Sequence, residues 1–169
     1  NRKKYTKNKT GSILFYNTSK LPGKFKIILN AHLDVVPARK EQYKPRIEGN
    51  KLYGRGTYDM KAASAVMILI FKEIANKIDY PLGLQLVTDE ETGGYGGTGH
   101  QVIKGVRSEF VLCGEPTDLM IGHKNRATYW IKLVTEGKSG HGAYPWKAVN
   151  AAEILINDLS LINKAFKKY

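Results

Sequence analysis

Cysteine is nearly absent from the sequence: Cys113 is the only one among 169 residues. A single thiol excludes an internal disulfide and is typical of a reducing compartment, so we expect the protein to be cytoplasmic. Because Cys113 follows the apolar residues 110–112, we interpret it as a small core residue rather than as a nucleophile. Hydrophobic residues make up 42% of the chain, which is enough for one sizeable core.

Long apolar runs are also missing from the sequence. The longest candidate, residues 62–71, is about half as long as the ~20 residues that a helix needs to cross a bilayer. Ser64 lies within this run. The run therefore predicts a buried helix and no membrane-spanning segment.

Arginine is scarce, although the chain is strongly basic. The net charge is +12, and of the 27 basic residues 21 are lysine and six are arginine. Recognition of base edges and bidentate binding of phosphate favour arginine. The lysines are scattered, with clusters only at residues 2–9 and 164–168. We interpret the charge as a solvated surface and expect neither nucleic acid nor membrane as a partner; attraction of anionic small molecules is the alternative.

Apolar and β-branched runs alternate with helical patterns along the chain. Helices are predicted at residues 60–77, where Asp59 is placed as the N-cap, and at residues 148–167. This alternation predicts an α/β fold built around a sheet with parallel strands. The predicted strands are residues 12–16, 25–31, 83–88, 109–113 and 128–135.

The character of the sequence changes near residues 123–126. One predicted strand and one predicted helix follow, which is too little for an independent domain. We therefore expect a first domain at residues 1–124 and the beginning of a second at residues 125–169, in a chain that stops within that second domain.

A histidine and an aspartate follow the predicted strand 25–31, and a buried strand has little use for either. In open α/β sheets, functional side chains gather at the carboxyl ends of strands. His32 and Asp34 are two residues apart and face the same side of an extended chain. The imidazole can bind a metal while the carboxylate fixes its orientation. A histidine satisfied by its neighbour in an ordinary turn is the alternative.

Carboxylates stand at three further places beside predicted strands and helices. Asp59 precedes a helix, and an N-cap role would explain it without any function. Asp89 begins three consecutive acids, whose charges repel one another unless a cation is near; a solvated acidic turn is the alternative. Together with His32, the carboxylates form a mixed nitrogen and oxygen site suited to zinc, cobalt or manganese. A carboxylate shared by two ions would allow a two-metal site. The candidates are Asp59, Glu90, Glu91 and Glu115.

Five motifs follow one another along the chain between residues 30 and 151. They read N-A-H-L-D-V-V-P, G-R-G-T-Y-D-M-K, T-D-E-E-T-G-G, G-E-P-T and G-K-S-G-H-G-A-Y-P-W-K-A-V-N-A. This series closely resembles the di-zinc amidohydrolase family, which contains acetylornithine deacetylase, succinyl-diaminopimelate desuccinylase, aminoacylase and glutamate carboxypeptidase. The resemblance implies a mixed sheet flanked by helices, as in zinc peptidases. It also implies the beginning of a smaller α+β lid domain through which the protein forms a homodimer.

The resemblance implies a role for each candidate side chain. His32 resembles a ligand of the first zinc, and Asp34 resembles its orienting carboxylate. Glu90 resembles the general base. His141 resembles the lid histidine that reaches the partner's active site and stabilises the oxyanion. The other implied zinc ligands are Asp59, which bridges both ions, Glu91 on the second ion and Glu115 on the first.

One position of the family pattern has no counterpart in this chain. The family's last zinc ligand is a histidine that follows the lid domain, and neither His100 nor His123 matches it. The resemblance further implies a cis peptide bond between Asp59 and Met60. The glycine-rich segment 92–99 lacks the Gly-Lys-Ser/Thr of a phosphate-binding loop and is interpreted as a flexible turn.

The function that we predict is a zinc-dependent hydrolase cleaving the amide bond of a small N-acyl amino acid, as a deacylase or desuccinylase does. Glu90 would take a proton from a metal-activated water, and Co²⁺ or Mn²⁺ could replace Zn²⁺. The alternatives are a dipeptidase or carboxypeptidase of the same family, or a binding module that has lost the chemistry. Because one zinc ligand is missing, we expect this chain alone to be inactive.

Overall fold

The structure is a computed structural model that describes residues 10–125 and 131–167. The chain divides into two compact units, Asn1–Gly122 and His123–Tyr169. In chain order the strands of the first unit are β1 (Ser12–Tyr16), β2 (Phe25–His32), β3 (Arg46–Glu48), β4 (Lys51–Tyr53), β5 (Leu82–Val87) and β6 (Ser108–Cys113). The helices are α1 (Ala62–Ile74), α2 (Thr98–Ile103) and, in the second unit, α3 (Ala151–Phe166).

Four strands of the first unit form a mixed sheet in the order β1-β5-β2-β6. Strand β1 pairs with β5 in the antiparallel direction, whereas β2 is parallel to both β5 and β6. The α/β fold with a mixed sheet is therefore confirmed. Because β2, β5 and β6 run in one direction, their carboxyl ends meet at one edge of the sheet.

The core of the first unit lies between the central strands and α1. All six residues of β5 are buried, as expected for a strand covered on both faces. Leu29 on β2 and Leu84 on β5 pack with Met67 of α1, which faces the sheet. The outer face of α1 is exposed, so the helix predicted over residues 62–71 is correct but only one of its faces is buried. Among the described residues, no helix has the length and apolar character that a membrane crossing requires.

Helix α1 begins at Ala62, two residues later than the sequence predicts. Residues Thr57–Lys61 form a wide turn of π-helical type, in which Asp59 and Met60 have non-helical backbone angles. The N-cap position is occupied by Lys61, and no side chain caps the helix there. The N-cap role for Asp59 is therefore wrong. The cis peptide bond between Asp59 and Met60 is confirmed.

A short hairpin and a short helix were not predicted from the sequence. Strands β3 and β4 pair through Glu48 and Lys51, which leaves Gly49 and Asn50 as a two-residue turn. Gly-Asn between short strands is a known hairpin signal, so this element could have been found. Helix α2 has six residues and begins at Thr98, at the end of the glycine-rich segment 92–99 that we interpreted as a flexible turn.

Cys113 was expected in the core and is exposed instead. It is the last residue of β6, which lies at the edge of the sheet. An apolar strand at an edge has a partner on one side only, and in the first unit β6 pairs with β2 alone among the described strands. The apolar run before Cys113 therefore indicates a strand but not its burial.

The second unit contains α3, which begins at Ala151. The side chain of Asn150 caps it by accepting a hydrogen bond from the Ala152 amide at 3.0 Å. An isolated antiparallel bridge joins Lys138 and Val149. Of the predicted strand 128–135, residues 128–130 lie outside the described residues, and residues 131–135 are not in a strand.

Candidate metal centre

His32 is the last residue of β2, and its side chain is only 1% exposed. Its ring Nδ1 lies 3.1 Å from the backbone carbonyl oxygen of Asp34. Because a carbonyl oxygen only accepts, Nδ1 carries the proton of this hydrogen bond. In the neutral ring the lone pair is then on Nε2, which lies 2.9 Å from Asp59 Oδ1. The fold thus directs the basic nitrogen of a buried imidazole toward a carboxylate.

The backbone of His32 is held by one side chain from the wide turn Thr57–Lys61 and one from α1. Strand β6 ends at Cys113, and the last contact on that side joins the Gly114 amide to the Asn30 carbonyl at 3.3 Å. Beyond it, the His32 amide lies 3.3 Å from Met60 Sδ, and the His32 carbonyl accepts a hydrogen bond from Ser64 Oγ at 3.0 Å. These two side chains take the place of a β6 partner for His32, which on its other side is paired with Val87 of β5.

The carboxylate of Asp34 binds the backbone of the acidic segment rather than forming the shortest contact with the imidazole. Its Oδ1 accepts from the Glu90 amide at 3.2 Å, and its Oδ2 accepts from the Glu91 amide at 3.0 Å. The distance from Asp34 Oδ1 to His32 Nδ1 is 3.5 Å. Asp34 therefore orients the ring mainly through its carbonyl and fixes both glutamates through its carboxylate.

Four carboxylates surround the basic nitrogen of His32. Glu90 Oε2 lies 3.9 Å from His32 Nε2, and Glu115 Oε2 lies 3.8 Å from the same atom. Two groups of potential ligand atoms, each within 4.8 Å of one another, form here. One comprises His32, Glu90 and Glu115, and the other comprises His32, Asp59 and Glu91.

This donor set is suited to a divalent cation. One imidazole nitrogen and several carboxylate oxygens are ligands that zinc, cobalt and manganese accept. Carboxylates packed at these distances repel one another in the absence of a positive charge. Their side chains remain partly exposed, at 49% for Asp59, 51% for Glu90 and 40% for Glu115, so a small molecule can reach them. The residues present therefore fit a metal centre that is open to solvent.

The pKa values of the cluster reflect this crowding. Burial raises the pKa of Glu90, the His32 charge opposes the rise, and the neighbouring carboxylates of Glu91 and Asp34 add to it. The pKa of Glu115 is raised by burial in the same way, with further contributions from Glu90 and other acids. Both glutamates thus ionise less readily than an ordinary glutamate.

The pKa of His32 is displaced upward by the same cluster. Burial lowers it, but the hydrogen bond with Asp59 and the contact with the Asp34 carbonyl raise it. The charges of Glu115 and Glu90 raise it further, so that the net shift is upward. The cluster therefore attracts positive charge, which is the property required to hold a cation.

In the sequence Asp89 was noted only as part of the acidic run, but in the structure its environment differs from that of the two glutamates that follow it. It is buried, whereas Glu90 is exposed. Its Oδ2 accepts hydrogen bonds from the amides of Gly96 and Gly97, at 2.6 and 3.0 Å. Its backbone carbonyl accepts from the Gly94 amide at 2.7 Å. Asp89 thus closes the glycine-rich loop behind the two glutamates.

The other histidines are not part of the cluster. In the part of the chain that the structure describes, His32 is the one imidazole in either group of potential ligands. His141 belongs to the second unit, where its Nδ1 accepts from the Ala143 amide at 3.1 Å and its ring contacts Tyr144 at 5.8 Å between centroids. The role predicted for His141 in a partner's site stays a prediction.

Comparison with known proteins agrees with the motif pattern. The model of peptidase family M20/M25/M40 matches residues 28–164. A probable carboxypeptidase of Emericella nidulans is 30% identical over 171 residues, covering 89% of this chain and 39% of the relative. The acetylornithine deacetylase of Photorhabdus laumondii is 34% identical over 137 residues, which cover 76% of this chain and 35% of that protein.

A third relative shows the same partial coverage. The acetylornithine deacetylase of Buchnera aphidicola is 30% identical over 153 residues, or 84% of this chain and 40% of the relative. The chain thus spans between about a third and two fifths of the length of the curated relatives it matches. Since the family model covers most of the chain, the protein belongs to peptidase family M20/M25/M40.

Proposed function

We propose that this chain supplies the metal centre of a hydrolase that cleaves the amide bond of a small N-acyl amino acid. The observation that carries the proposal is the set of carboxylates around one buried imidazole nitrogen at the carboxyl ends of β2, β5 and β6. A metal-dependent hydrolase is the function that family membership favours.

The proposed ligands divide between two ions. His32, Asp59 and Glu115 would hold the first, and Asp59 with Glu91 would hold part of the second. Asp59 Oδ1 lies 2.9 Å from His32 Nε2, and Asp59 is also grouped with Glu91, which supports Asp59 as the shared ligand. A divalent metal bound here would acidify a water molecule and polarise the scissile carbonyl. Zinc is the proposed metal, with cobalt and manganese as substitutes.

Glu90 is proposed to move the proton during hydrolysis. Its side chain is half exposed, and its backbone amide is held by the Asp34 carboxylate, so the position of the carboxylate is restrained where substrate can reach it. Glu90 would accept a proton from the attacking water and pass it to the departing amine.

Two substrate classes are compatible with the names of the relatives. The acetylornithine deacetylases support an N-acyl amino acid, which is the substrate that we propose first. The probable carboxypeptidases support a peptide cleaved at its carboxyl end, which is the second candidate. A binding module without catalysis is less favoured, because binding alone has no need for the exposed Glu90 beside the ligand set.

A homodimer is the proposed assembly, formed through the second unit. His141 would then act in the active site of the partner subunit, where an imidazole can stabilise the oxyanion. The motif G-H-G-A-Y-P-W-K, which contains His141, supports this role by resemblance.

The proposal is tested on the full-length protein. Metal content is measured after purification, and hydrolysis is followed on a panel of N-acetyl and N-succinyl amino acids beside a panel of dipeptides. We expect bound zinc and release of a free amino acid from one of the N-acyl compounds. Removal of the metal with a chelator should abolish turnover, and added Zn²⁺, Co²⁺ or Mn²⁺ should restore it. Metal-independent turnover, or a protein that binds no metal, would refute the proposal.

A further inference from the structure

Lys61 makes a contact that the proposed function does not use. It is the last residue of the wide turn Thr57–Lys61, two residues after Asp59. Its Nζ donates a hydrogen bond of 2.5 Å to the backbone carbonyl of Leu33, which lies between His32 and Asp34. The contact joins residues 28 positions apart in the chain.

We propose that Lys61 is a positioning residue for the metal centre, which holds the turn from His32 to Asp34 in place through the Leu33 carbonyl. The proposal rests on the proposed function in assuming that His32 binds a metal. A charged donor forms a stronger hydrogen bond to a carbonyl than a neutral one does. Because Leu33 lies between His32 and Asp34, holding its carbonyl in place also holds the backbone of both neighbours.

The surroundings of Lys61 restrict where its amino group can go. Gly56 is buried and has a φ of 84°. A Cβ atom at this position would lie 2.6 Å from Val35 Cγ1 and 3.3 Å from Lys61 Nζ. The backbone of Gly56 therefore packs directly against the lysine head group and the chain that follows Asp34.

Other contacts hold the same turn from inside the protein. The Leu33 amide donates to the Val87 carbonyl at 2.8 Å, and the buried Ser64 hydroxyl binds the His32 carbonyl. Replacing Ser64 would leave buried polar groups unsatisfied and would damage the fold. Lys61 is exposed, so it can be replaced without opening a cavity. Among the contacts described here for this turn, the one made by Lys61 can be removed with the least disturbance of the core.

The charge of Lys61 and its positioning role predict opposite effects on metal binding. A positive charge beside the cluster repels a cation, so if Lys61 acted by charge alone, its removal would strengthen metal binding. If Lys61 positions His32 and Asp34, its removal weakens metal binding. Loss of a group that orients metal ligands typically reduces metal affinity by about 10–100-fold.

The experiment compares Lys61→Met, Lys61→Arg and Lys72→Met in the full-length protein. Methionine retains the unbranched stem of lysine without the donor, and arginine retains a charged donor. Lys72 is an exposed lysine of α1 whose side chain makes no hydrogen bond or ion pair within the described part of the chain, so it controls for the lost charge. Zinc and cobalt affinities are measured by competition with a chromophoric chelator, and unfolding of the metal-free proteins is followed by circular dichroism.

We expect Lys61→Met to weaken binding of the first metal about 10-fold, at the lower end of the range for orienting groups. Lys61→Arg should recover most of the affinity, and Lys72→Met should bind as the wild type does. The metal-free Lys61→Met protein should unfold at the same temperature as Lys72→Met. Unchanged or tighter metal binding by Lys61→Met would overturn the proposal. A lower unfolding temperature that Lys61→Arg does not restore would also overturn it, because the role would then be structural.

The same data separate this inference from the proposed function. A wild-type protein that binds metal but hydrolyses none of the substrates, with weaker binding in Lys61→Met, would refute the function and support the role of Lys61. A wild-type protein that binds no metal would overturn both. Full turnover with unaltered metal affinity in Lys61→Met would support the function and overturn the role of Lys61.

Discussion

The residues of the cluster differ in solvent exposure, and the difference suits their proposed roles. His32 is 1% exposed and presents its Nε2 from the protein interior, whereas the side chain of Glu90 is 51% exposed. A buried imidazole loses little freedom on binding a metal, because its orientation is already fixed by the Asp34 carbonyl. An exposed carboxylate beside it remains able to exchange protons with water and substrate. The arrangement therefore separates metal binding from proton transfer.

Replacing Glu90 by glutamine tests the proton-transfer role. The amide has nearly the same shape as the carboxylate but cannot accept a proton from water. We expect turnover by the full-length protein to fall at least ~10²-fold, while metal content and unfolding temperature stay close to those of the wild type. Turnover within a few-fold of the wild type would exclude Glu90 as the general base. Loss of metal together with activity would indicate that Glu90 is a ligand instead.

Replacing Glu115 by glutamine tests the electrostatic strain in the metal-free cluster. The folded protein raises the pKa of Glu115 above the ordinary value of 4.5, chiefly through burial. The folded state then holds this proton more tightly than the unfolded state, so stability falls as pH rises from that value through the raised pKa. Glu115→Gln removes this penalty. With chelator present, the variant should be more stable than the wild type at pH 7 and equal to it near pH 4.

The expected gain for Glu115→Gln is below about 1 kcal/mol, because solvent screens a side chain that is 40% exposed. The measurement is urea unfolding at both pH values. Glu109→Gln is the control, for which we expect the opposite change in stability. In the wild type, the hydrogen bond with Lys26 lowers the pKa of Glu109. Stability from that pair is present above the ordinary pKa and lost as pH falls, so this variant should be less stable than the wild type at pH 7. A Glu115→Gln protein destabilised at neutral pH would contradict our account of the cluster.

The individual residues of the cluster were predictable because strand ends in an α/β sheet meet at one edge. A histidine at the end of β2 and carboxylates after β5 and β6 are therefore neighbours, although they are far apart in the sequence. The contacts of the Asp34 carboxylate with two backbone amides were not predictable. They depend on how the turn after β5 folds toward the turn after β2, and no periodicity or motif spacing encodes this.

At the scale of elements, the glycine-rich loop after β5 determines where the two glutamates lie. Gly97 is buried, and a Cβ atom there would lie 2.2 Å from Asp89 Oδ1 and 2.8 Å from Val87 Cβ. A residue with a side chain would therefore displace the Asp89 carboxylate, which binds the amides of this loop. The glycines of the motif thus allow close approach of the loop backbone to a buried acid.

Replacing Gly97 by alanine tests this packing. We expect a loss of stability of about 1–3 kcal/mol, the usual effect of overfilling a packed site, together with lower turnover because Glu90 shifts. Gly23→Ala is the matched control: Gly23 is exposed, and a Cβ atom there would have no heavy atom within 4 Å. Thermal unfolding of both variants provides the measurement. Equal stability of the two variants would show that the loop adapts and that Asp89 does not restrain it.

Some helices and strands were predicted from the sequence more accurately than others, and the physical reasons differ between them. The strands of the sheet were found because their apolar runs are long and bounded by turn residues; β1, for example, spans Ser12–Tyr16 as predicted. Helix α1 was expected to begin at Met60, but Asp59 contacts His32 and the turn around it departs from helical geometry. A tertiary contact thus overrides a local capping signal. Helix α2 is too short for its periodicity to be recognised.

At the scale of the whole molecule, His141 and Glu90 lie in different compact units. If His141 acts in the partner's site, each active site of a homodimer combines residues from two chains. Mixing full-length His141→Ala subunits with Glu90→Gln subunits should then restore activity, because one of the two sites in a heterodimer has both residues intact. We expect up to about half of the wild-type activity per heterodimer, measured after subunit exchange has been shown by mass spectrometry. No recovery despite exchange would argue against a role in the partner's site.

The last prediction concerns the 169-residue chain on its own. Within the described residues, the proposed first ion has three ligands in His32, Asp59 and Glu115. The proposed second ion has two carboxylates, Asp59 and Glu91, once His32 is assigned to the first. Zinc sites generally use three or more protein ligands, so the second ion should bind weakly. We therefore expect about one tightly bound zinc per chain and no hydrolysis of N-acyl amino acids.

The surface of the chain leads to a second expectation for the same experiment. Large apolar side chains are exposed on three elements of the described chain, and such faces promote association. Examples are Leu69 on α1 at 64%, Phe110 on β6 at 58% and Leu161 on α3 at 65%. The isolated chain should therefore self-associate, as measured by light scattering, while its metal content is titrated with Zn²⁺. Two tightly bound ions with turnover in a monodisperse sample would contradict both expectations. That result would require another ligand from the chain, for which His100 and His123 are the candidates, because an imidazole is what the second site lacks.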